Sequence, residues 1–460
     1  MERIKKYKAK IDGDVSKIRI DRYGAEQATH FKGAVAEQAK IEIEVKRMMK
    51  DYNISAMFTH FYTNFGKKCV QLRNRFGGDN LCTELDAATN AWEGRGLNRN
   101  LLCDIRAYYV SSCPCVGAPP ACDWSYKMKL TFTGNISATD LDDFPVLIHL
   151  TSLNFNFSHA KTNGEDIRFM DSDTCPSGET PLKHEIEDWD QAGQDAWVWV
   201  KVPRINGGSV DDFIYMFFGN PAAADAQDPP NVWDDSFRMV QHKYDNPDNI
   251  TITGSTVYGH VGTKVGANKP IEAGTQIWRG QQYNNVDEWI TIPHDVCLDF
   301  NEAITIEAWV YWGGDAGEDA VIARWTPPIQ VFVTTIGFVS DKWRLAFRDA
   351  GYAQRACDST SNVPHNTWTY LVAVWDNPYI RLYINGVQDK ECLIGDVNLN
   401  ITNAIVCIGD VYVAGSPIIP YGGKMDEARI SSNARTPDWI MGQFRSMKEL
   451  LITYGAEEGT

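Results

Sequence analysis

The residues from Ile304 to Trp312 alternate strictly between two sets of side chains, and this pattern constrains the fold more than any other. Every second residue starting at Ile304 is apolar and faces one side of a strand, while Thr305 and Glu307 begin the set on the other side. The pattern predicts a central strand of a β-sandwich. Shorter alternating runs that predict its partner strands follow at Trp343–Phe347, Trp368–Trp375, Ile380–Ile384 and Met425–Ile430.

The order of these motifs resembles that of a known family. Glu288–Pro293, Ile304–Trp309, Trp368–Trp375, Arg381–Gly386 and Gly423–Ile430 follow one another as in the concanavalin A-like, laminin-G-like superfamily. Arg381–Gly386 ends in Asn385-Gly386, a strong signal for a tight hairpin. The resemblance implies a jelly-roll sandwich over residues 234–460. It does not imply one function, because this fold serves lectins, adhesion modules, glycoside hydrolases and structural spacers.

A second all-β module is predicted before it, over residues 124–233. Its strand-like segments include Trp124–Phe132, Asp142–Leu150, Trp197–Pro203 and Phe213–Pro221. Their order resembles an uncharacterised β-sandwich domain of archaeal and bacterial surface proteins that commonly precedes a laminin-G-like module. The resemblance implies a fold and a neighbouring laminin-G-like module, but it implies no mechanism.

The amino-terminal quarter has a different pattern. Residues 1–24 are predicted to form an extended arm, residues 25–110 an α-helical bundle with apolar positions three and four apart, and residues 111–123 a linker rich in Cys and Pro. The predicted fold class is therefore multidomain α+β, an N-terminal helical bundle followed by two antiparallel β-sandwiches.

Charge is distributed unevenly along the chain, whose net charge is −16. Residues 1–110 contain 20 Lys and Arg against 14 Asp and Glu, and the remainder contains 24 against 46. The acidic charge beyond residue 110 disfavours nucleic acid as a partner. The mildly basic charge of residues 1–110 is compatible with docking to an acidic partner and also with an ordinary solvated helical surface. The sequence has no run of eighteen apolar residues, so no membrane span is predicted. No apolar segment follows the charged residues after Met1, so no secretion signal is predicted.

The eleven cysteines are spaced irregularly. The five from Cys175 to Cys407 are scattered singly, as is typical of buried free thiols. Between Cys103 and Cys122, zinc ligation, one or two disulfides and free thiols are all compatible with the spacing.

The acidic residues form no recognisable glycosidase motif. The Glu-x-Asp-x-x-Glu motif of laminarinase-like enzymes is missing from the sequence. Glu185 and Glu187 share one face of a predicted strand, but Asp188 and Asp190 follow at once, so a solvated acidic edge is expected there. The chain is predicted not to be an enzyme.

Two kinds of binding site are predicted in the C-terminal module. The resemblance implies a structural calcium ion at a rim, with Asp426 and Asp299 as candidate ligands; Asp426 could instead cap a turn or pair with Arg429. Glycans stack on exposed aromatic rings, and the aromatic residues in loop-like stretches are the candidates: Trp278, Tyr283, Trp325 and Tyr352.

These features together predict a non-enzymatic virion structural protein, a capsid-decoration, fibre or tail protein of a phage or archaeal virus. Its helical head would contact other virion subunits in a homo-oligomer, and its sandwiches would face outward and bind surface glycans. The alternative is a cell-surface or secreted carbohydrate-binding adhesin, which the five Asn-x-Ser/Thr sequons from Asn53 to Asn400 favour. A glycan-degrading enzyme is the third candidate.

Overall fold

The computed structural model describes residues 122–176, 180–242, 250–266, 269–300, 302–314, 317–326, 329–413 and 416–460. The predicted arm, the predicted helical bundle and most of the predicted linker lie outside these residues. The described chain is built almost wholly from antiparallel strands, here numbered β1 to β25 in chain order, with one α-helix, α1, at Pro437–Met447. The α+β fold class predicted from the sequence is therefore wrong, because the described fold is all-β.

Two sheets form the first module. Sheet I has the order β25 (Thr453–Gly459), β1 (Tyr126–Thr131), β6 (Phe213–Phe218), β3 (Arg168–Met170), and sheet II has the order β2 (Leu141–Thr151), β5 (Asp195–Ile205), β4 (His184–Asp190). Buried side chains of both sheets, among them Met128, Phe169 and Val198, share one core. The first module is thus a small sandwich.

Two larger sheets form the second module. Sheet III has the order β10 (Ile271–Gly274), β11 (Arg279–Asn284), β24 (Gly422–Ser431), β13 (Ala303–Trp312), β18 (Trp368–Asp376), β19 (Tyr379–Ile384), β20 (Val387–Leu393), and β7 (Phe237–Gln241) also pairs with β24. Sheet IV has the order β17 (Gln354–Asn362), β16 (Lys342–Arg348), β15 (Ile329–Ile336), β14 (Asp319–Thr326), β21 (Val406–Ile408), β12 (Trp289–Ile292), β9 (Val261–Val265), β8 (Thr251–Thr253). Strands β22 (Tyr412–Val413) and β23 (Ser416–Pro417) form a separate ribbon.

Strand β13 confirms the alternation from which the sequence analysis began. Ile306 and Trp312 point into the core between sheets III and IV, whereas Trp309 points away from it, into the core of the first module. Both faces of the strand are buried, because sheet III is covered on its outer side by sheet II and helix α1. The predicted hairpin is also present, since Asn385 and Gly386 have φ values of 51° and 81°, as the tight turn between β19 and β20 requires.

The end of the chain returns to the beginning of the first module. Strand β25 pairs with β1, with Tyr126 opposite Gly459, and helix α1 packs against β2. Gln443 of the helix donates to the carbonyl of Pro145, and Ser446 accepts from the N–H of Leu147 at 2.8 Å. The last residues of the chain, Thr453–Gly459, are therefore a strand of the first module's sheet I. The domain boundaries at residues 124 and 233 stay predictions.

The prediction of free thiols is wrong for three of the scattered cysteines. Cys357 on β17 and Cys392 on β20 form a disulfide, and Cys122 is joined to Cys175. Cys297 and Cys407 take part in neither of these disulfides. The spacing gave no hint of either bond, because the pairing of β-strands brings cysteines 35 and 53 residues apart into contact.

Candidate functional site

A cluster of charged side chains lies buried where sheet II faces sheet III. Its members come from β4, the end of β7, β13 and β24, and five of them are carboxylic acids: Glu185, Glu187, Glu307, Asp426 and Glu427. The two cationic members are His242 and Arg429. The acids of β4 are thus covered by the second module, and the prediction that Glu185 and Glu187 form a solvated edge is wrong.

Two β-bulges aim the central acids at each other. The pairing of β4 with β5 shifts register between Ile186 and Asp188, so Glu187 is the extra residue of the first bulge. The pairing of β24 with β13 shifts register where two residues, Glu427 and Ala428, lie opposite Ala308. Glu427 has a φ of 50°, a left-handed conformation that non-glycine residues rarely adopt. Both bulges therefore break the ladder at the point where a carboxylate is directed into the cluster.

The imidazole of His242 lies between these acids. Its Nδ1 is 2.6 Å from Glu427 Oε1 and 3.5 Å from Glu187 Oε2, and its Nε2 is 3.4 Å from Glu185 Oε2. Burial alone would lower the pKa of His242, but the carboxylates of Glu427, Glu187 and Glu185 outweigh burial and raise its pKa well above 6.5. The pKa of Glu187 is raised well above 4.5, first by burial and then by the negative charge of Glu427, although His242 opposes this shift.

Arg429 neutralises the other side of Glu427. Its guanidinium donates to Glu427 Oε2 and to the amide oxygen of Gln443, and it lies against the rings of Trp199 and Trp233, with 4.6 and 4.8 Å between guanidinium carbon and ring centroid. Although burial opposes ionisation of Glu427, His242 and Arg429 lower its pKa to about 2. The Arg429–Glu427 pair is therefore charged inside the protein.

The outer acids each have their own donors. Glu185 accepts from Ser255 Oγ at 2.5 Å and from the indole of Trp233 at 3.1 Å, and Glu307 accepts from the hydroxyl of Tyr370. Trp199 donates to Glu187 Oε2 at 2.7 Å. Among the described residues, Glu187 Oε1 has no hydrogen-bond partner.

The two residues predicted as calcium ligands bind different partners and are not brought together: Asp426 lies on strand β24, and Asp299 lies in the loop after β12. Asp426 is fully buried in sheet III and accepts from Thr275 Oγ1 and from the N–H of Ile277. Asp299 follows β12 and pairs with Arg324 at 2.6 Å. Arg429, the predicted alternative partner of Asp426, pairs with Glu427 instead. A calcium ion at either aspartate stays a prediction.

The four predicted glycan-binding aromatics also lie apart. Tyr283 is only 3% exposed and belongs to the core between sheets III and IV, so its ring offers no open face. Trp278 and Trp325 are half-buried against cores. Tyr352, at the turn between β16 and β17, is 52% exposed and is the most accessible of the four. Its backbone carbonyl accepts from Arg348.

A surface cleft of about 420 Å³ lies on the first module, and no sequence motif indicated it. The loop after β2, Gln194 and the last strand line it, so the fold of the chain end creates it. Exposed Leu153 supplies an apolar wall, and Asn156, Gln194 and Glu457 supply polar groups. Glu457 also accepts from the N–H of Asn156 and contacts His159, which fixes this wall.

These features define the described region as a protein of fused antiparallel β-sandwiches. Its second module carries a concanavalin A-like domain: residues 284–441 match the family model for the concanavalin A-like lectin/glucanases superfamily. Residues 163–249 match a domain of unknown function (DUF2341) that precedes it. Both resemblances stated from the sequence are thereby confirmed. The search of curated proteins found no significant match.

Several solved structures are similar to part of the chain. Domain 4 of AbnA, an extracellular GH43 arabinanase from Geobacillus stearothermophilus in complex with arabinotriose, is 21% identical, with a TM-score of 0.36 over 45% of this chain and 97% of that domain. The binding domain of Paraclostridial Mosquitocidal Protein 1 and a botulinum neurotoxin type C structure are each 12% identical, with TM-scores of 0.38 over 46% of this chain and 52% of theirs. At these TM-scores the likenesses support no argument about ligand or activity.

Among the described residues, no helix is long and apolar enough to cross a membrane.

Proposed function

We propose that this protein binds glycans at a surface outside the cell and does not hydrolyse them. The observation that supports the proposal most strongly is the concanavalin A-like lectin/glucanase domain at residues 284–441. The buried carboxylates are the natural candidates for glycosidase chemistry, but they are enclosed between two modules. Glu185, Glu187 and Glu427 are each at most 8% exposed, so a sugar has no access to them in this structure.

Tyr352 is the proposed stacking platform. Its ring is exposed at a turn of sheet IV, and Arg348 beside it supplies hydrogen-bond donors, a combination that suits the apolar face and hydroxyl groups of a sugar. The cleft around Gln194 is a second place where a glycan would find amide groups beside an apolar wall. Both places can be tested in the same experiment.

The test is a glycan array probed with the full chain, followed by incubation of each bound glycan and analysis of its length. Binding without shortening is expected, and a shortened product would overturn the proposal. Tyr352→Ala is expected to weaken binding about tenfold or more, which corresponds to about 1.4 kcal/mol, whereas Tyr352→Phe should retain it. Phe338→Ala is the matched control, because Phe338 is 51% exposed at the other end of β16.

The result also locates the binding site. Loss of binding in Gln194→Ala but not in Tyr352→Ala would assign the glycan to the cleft of the first module and refute the role of Tyr352. Equal loss in Phe338→Ala and Tyr352→Ala would refute a specific platform. No binding to any glycan by the folded chain would refute the glycan-binding proposal itself.

The proposed setting is the surface of a virion, as a decoration, fibre or tail component present in several symmetric copies. Purified particles should contain the chain, and images of them should show it in symmetric copies on the outside. Its absence from particles, or a monomeric chain bound to cells, would overturn this setting.

One observation favours the second setting, a cell-surface or secreted adhesin. The disulfides Cys122–Cys175 and Cys357–Cys392 are of the kind that form in oxidising compartments. The sequons support it less than the sequence suggested. The amide of Asn135 donates to the carbonyls of Asn206 and Ser209, and the amide of Asn400 donates to the carbonyl of Asp349, so neither is free to carry a glycan.

A further inference from the structure

We propose that Glu187, His242 and Glu427 bind a divalent transition-metal ion that ties the two modules together. The coordinating atoms would be a carboxylate oxygen of Glu187, His242 Nδ1 and a carboxylate oxygen of Glu427. All three residues are buried, and each offers one ligand atom that lies within 4.8 Å of those of the other two.

The distances from His242 Nδ1 to the two carboxylates suit a shared ion. His242 Nδ1 is 2.6 Å from Glu427 Oε1 and 3.5 Å from Glu187 Oε2. A zinc-sized ion binds imidazole nitrogen and carboxylate oxygen at about 2.0–2.2 Å, which separates tetrahedral ligands by roughly 3.4 Å. Small side-chain movements would therefore accommodate the ion, and the bulges at Glu187 and Glu427 already direct both carboxylates to this point.

The charges of the cluster call for a further cation. Five carboxylic acids face His242 and Arg429, and Arg429 is already bound to Glu427 and Gln443. Glu187 Oε1 has no hydrogen-bond partner among the described residues, although Glu187 is only 7% exposed. A buried carboxylate without a full set of partners is costly, and a bound ion would satisfy it. On binding, the ion would displace the proton on His242 Nδ1 and any proton on Glu187, and these protons would leave to solvent.

The ligand set indicates the class of metal. One imidazole nitrogen with two carboxylate oxygens suits Zn²⁺, Mn²⁺ or Fe²⁺, whereas Ca²⁺ takes six to eight oxygen ligands. The site differs in this respect from the calcium site predicted at Asp426 and Asp299. Because Glu187 lies on β4 and Glu427 on β24, the bound ion would cross-link sheet II to sheet III.

The experiment uses the full chain, freed of metal with a chelator and then given ZnCl₂ or MnCl₂ alone. Bound metal is measured by elemental mass spectrometry, and the unfolding temperature is measured by circular dichroism. About one ion per chain and a rise of a few degrees in the unfolding temperature are expected. A chain that takes up no metal would overturn the proposal.

Glu187→Gln is the decisive variant, because glutamine keeps the size of the side chain and still accepts a hydrogen bond from Trp199. It should lose the bound ion and the metal-dependent rise in unfolding temperature. His149→Gln is the matched control. His149 also contacts two carboxylates, Asp195 at 2.7 Å and Glu449 at 2.9 Å, but it lies outside the cluster. It should retain the ion, and loss of metal in both variants would contradict the assignment.

X-ray absorption of the zinc-loaded wild-type chain gives an answer even if Glu187→Gln does not fold. The proposal requires nitrogen and oxygen ligands at about 2.0–2.2 Å. Sulfur ligands at about 2.3 Å would place the metal on cysteines, such as those between Cys69 and Cys115, and would overturn the proposal.

Discussion

The two faces of sheet III are both buried, but they are packed in opposite ways. The inner face, against sheet IV, presents aliphatic and aromatic side chains such as Ile306, Trp312 and Trp375. The outer face, against the first module, mixes aromatic rings with Glu307 and Arg429. A single strand, β13, contributes to both. Hydrophobic burial therefore holds the second module together internally, while a charged network lies in its contact with the first module.

The difference teaches what each contact contributes. Apolar packing is stabilising wherever volumes match, and it tolerates small shifts between elements. A buried ion pair adds little net stability, but it strongly penalises any arrangement that separates the partners. Arg429 stacked between Trp199 and Trp233, bound to Glu427 and Gln443, permits one arrangement of sheet II, sheet III and helix α1. We infer that the inner face supplies stability and the outer face fixes the orientation of the modules.

The largest effect is expected where the charged face loses its cation. Arg429→Met keeps an apolar stem but removes the guanidinium that pairs with Glu427 in the interior, so the free energy of unfolding should fall by about 3–5 kcal/mol. Urea unfolding measures it. Arg204→Met is the control, since Arg204 makes exposed ion pairs with Asp140 and Asp142 and should change stability by less than about 1 kcal/mol. Similar small losses in both variants would show that the charged face is not a constraint.

The inner face should respond through a cavity. Ile306→Ala removes three carbons from a side chain that is 1% exposed, and the free energy of unfolding should fall by about 2–4 kcal/mol. Ile271→Ala, on β10 of the same sheet, is the control, because Ile271 is 54% exposed and should lose under about 0.5 kcal/mol. If both variants lose the same amount, burial between sheets III and IV does not dominate the stability of the module.

Histidine protonation provides the third comparison. His184 lies on β4 and is buried in the first module. Burial and then the charge of Arg168 lower its pKa to about 4. Between pH 6.5 and 4, the imidazole of His184 therefore binds a proton in the unfolded state but not in the folded state. Stability should fall as pH drops from 6.5 to 4, by up to about 3 kcal/mol. Urea unfolding of wild type and His184→Gln at several pH values should show a shallower acid loss in the variant.

His149 should show the opposite dependence. Burial lowers its pKa, but Glu449 and Asp195 outweigh burial and raise it above 6.5. Its contribution is fully present below pH 6.5 and is lost as pH rises through the folded pKa. His149→Gln should therefore remove stability at pH 6 and change little at high pH. If His184→Gln and His149→Gln change the free energy of unfolding with the same dependence on pH, these opposite assignments are wrong.

The sequence predicted what local periodicity and turn chemistry encode. The alternation from Ile304 to Trp312 identified the central strand, and Asn385-Gly386 identified the hairpin that follows β19. It did not predict that β25 pairs with β1, because Gly459 and Tyr126 are far apart in sequence and Gly455–Gly459 has little strand propensity.

The buried cluster was missed for a related reason. Glu185 and Glu187 stand among other acids, a local pattern that indicates a solvated strand, and only the second module covers them. No motif links Glu187 with His242 and Glu427, which are separated by 55 and 185 residues in the sequence. The one local signal is the motif Gly423–Ile430, for which the resemblance implies Asp426, and not its neighbour Glu427, as a metal ligand. Chain topology, rather than local sequence, decides which acid faces the cluster.

The smallest effect is expected at helix α1, which covers the outer face of sheet III together with sheet II. Thr436 caps the helix through its side-chain oxygen, which accepts from the N–H of Trp439 at 3.2 Å. Thr436→Ala should lower the free energy of unfolding by about 1 kcal/mol, and Thr436→Ser should retain most of it. The orienting bond from Gln443 to Pro145 lies two turns further along, so Gln443→Ala tests whether the helix acts mainly through its packing or through that contact. A loss in Gln443→Ala clearly larger than in Thr436→Ala would mean that the polar contact across the modules, more than helix formation, sets the contribution of α1.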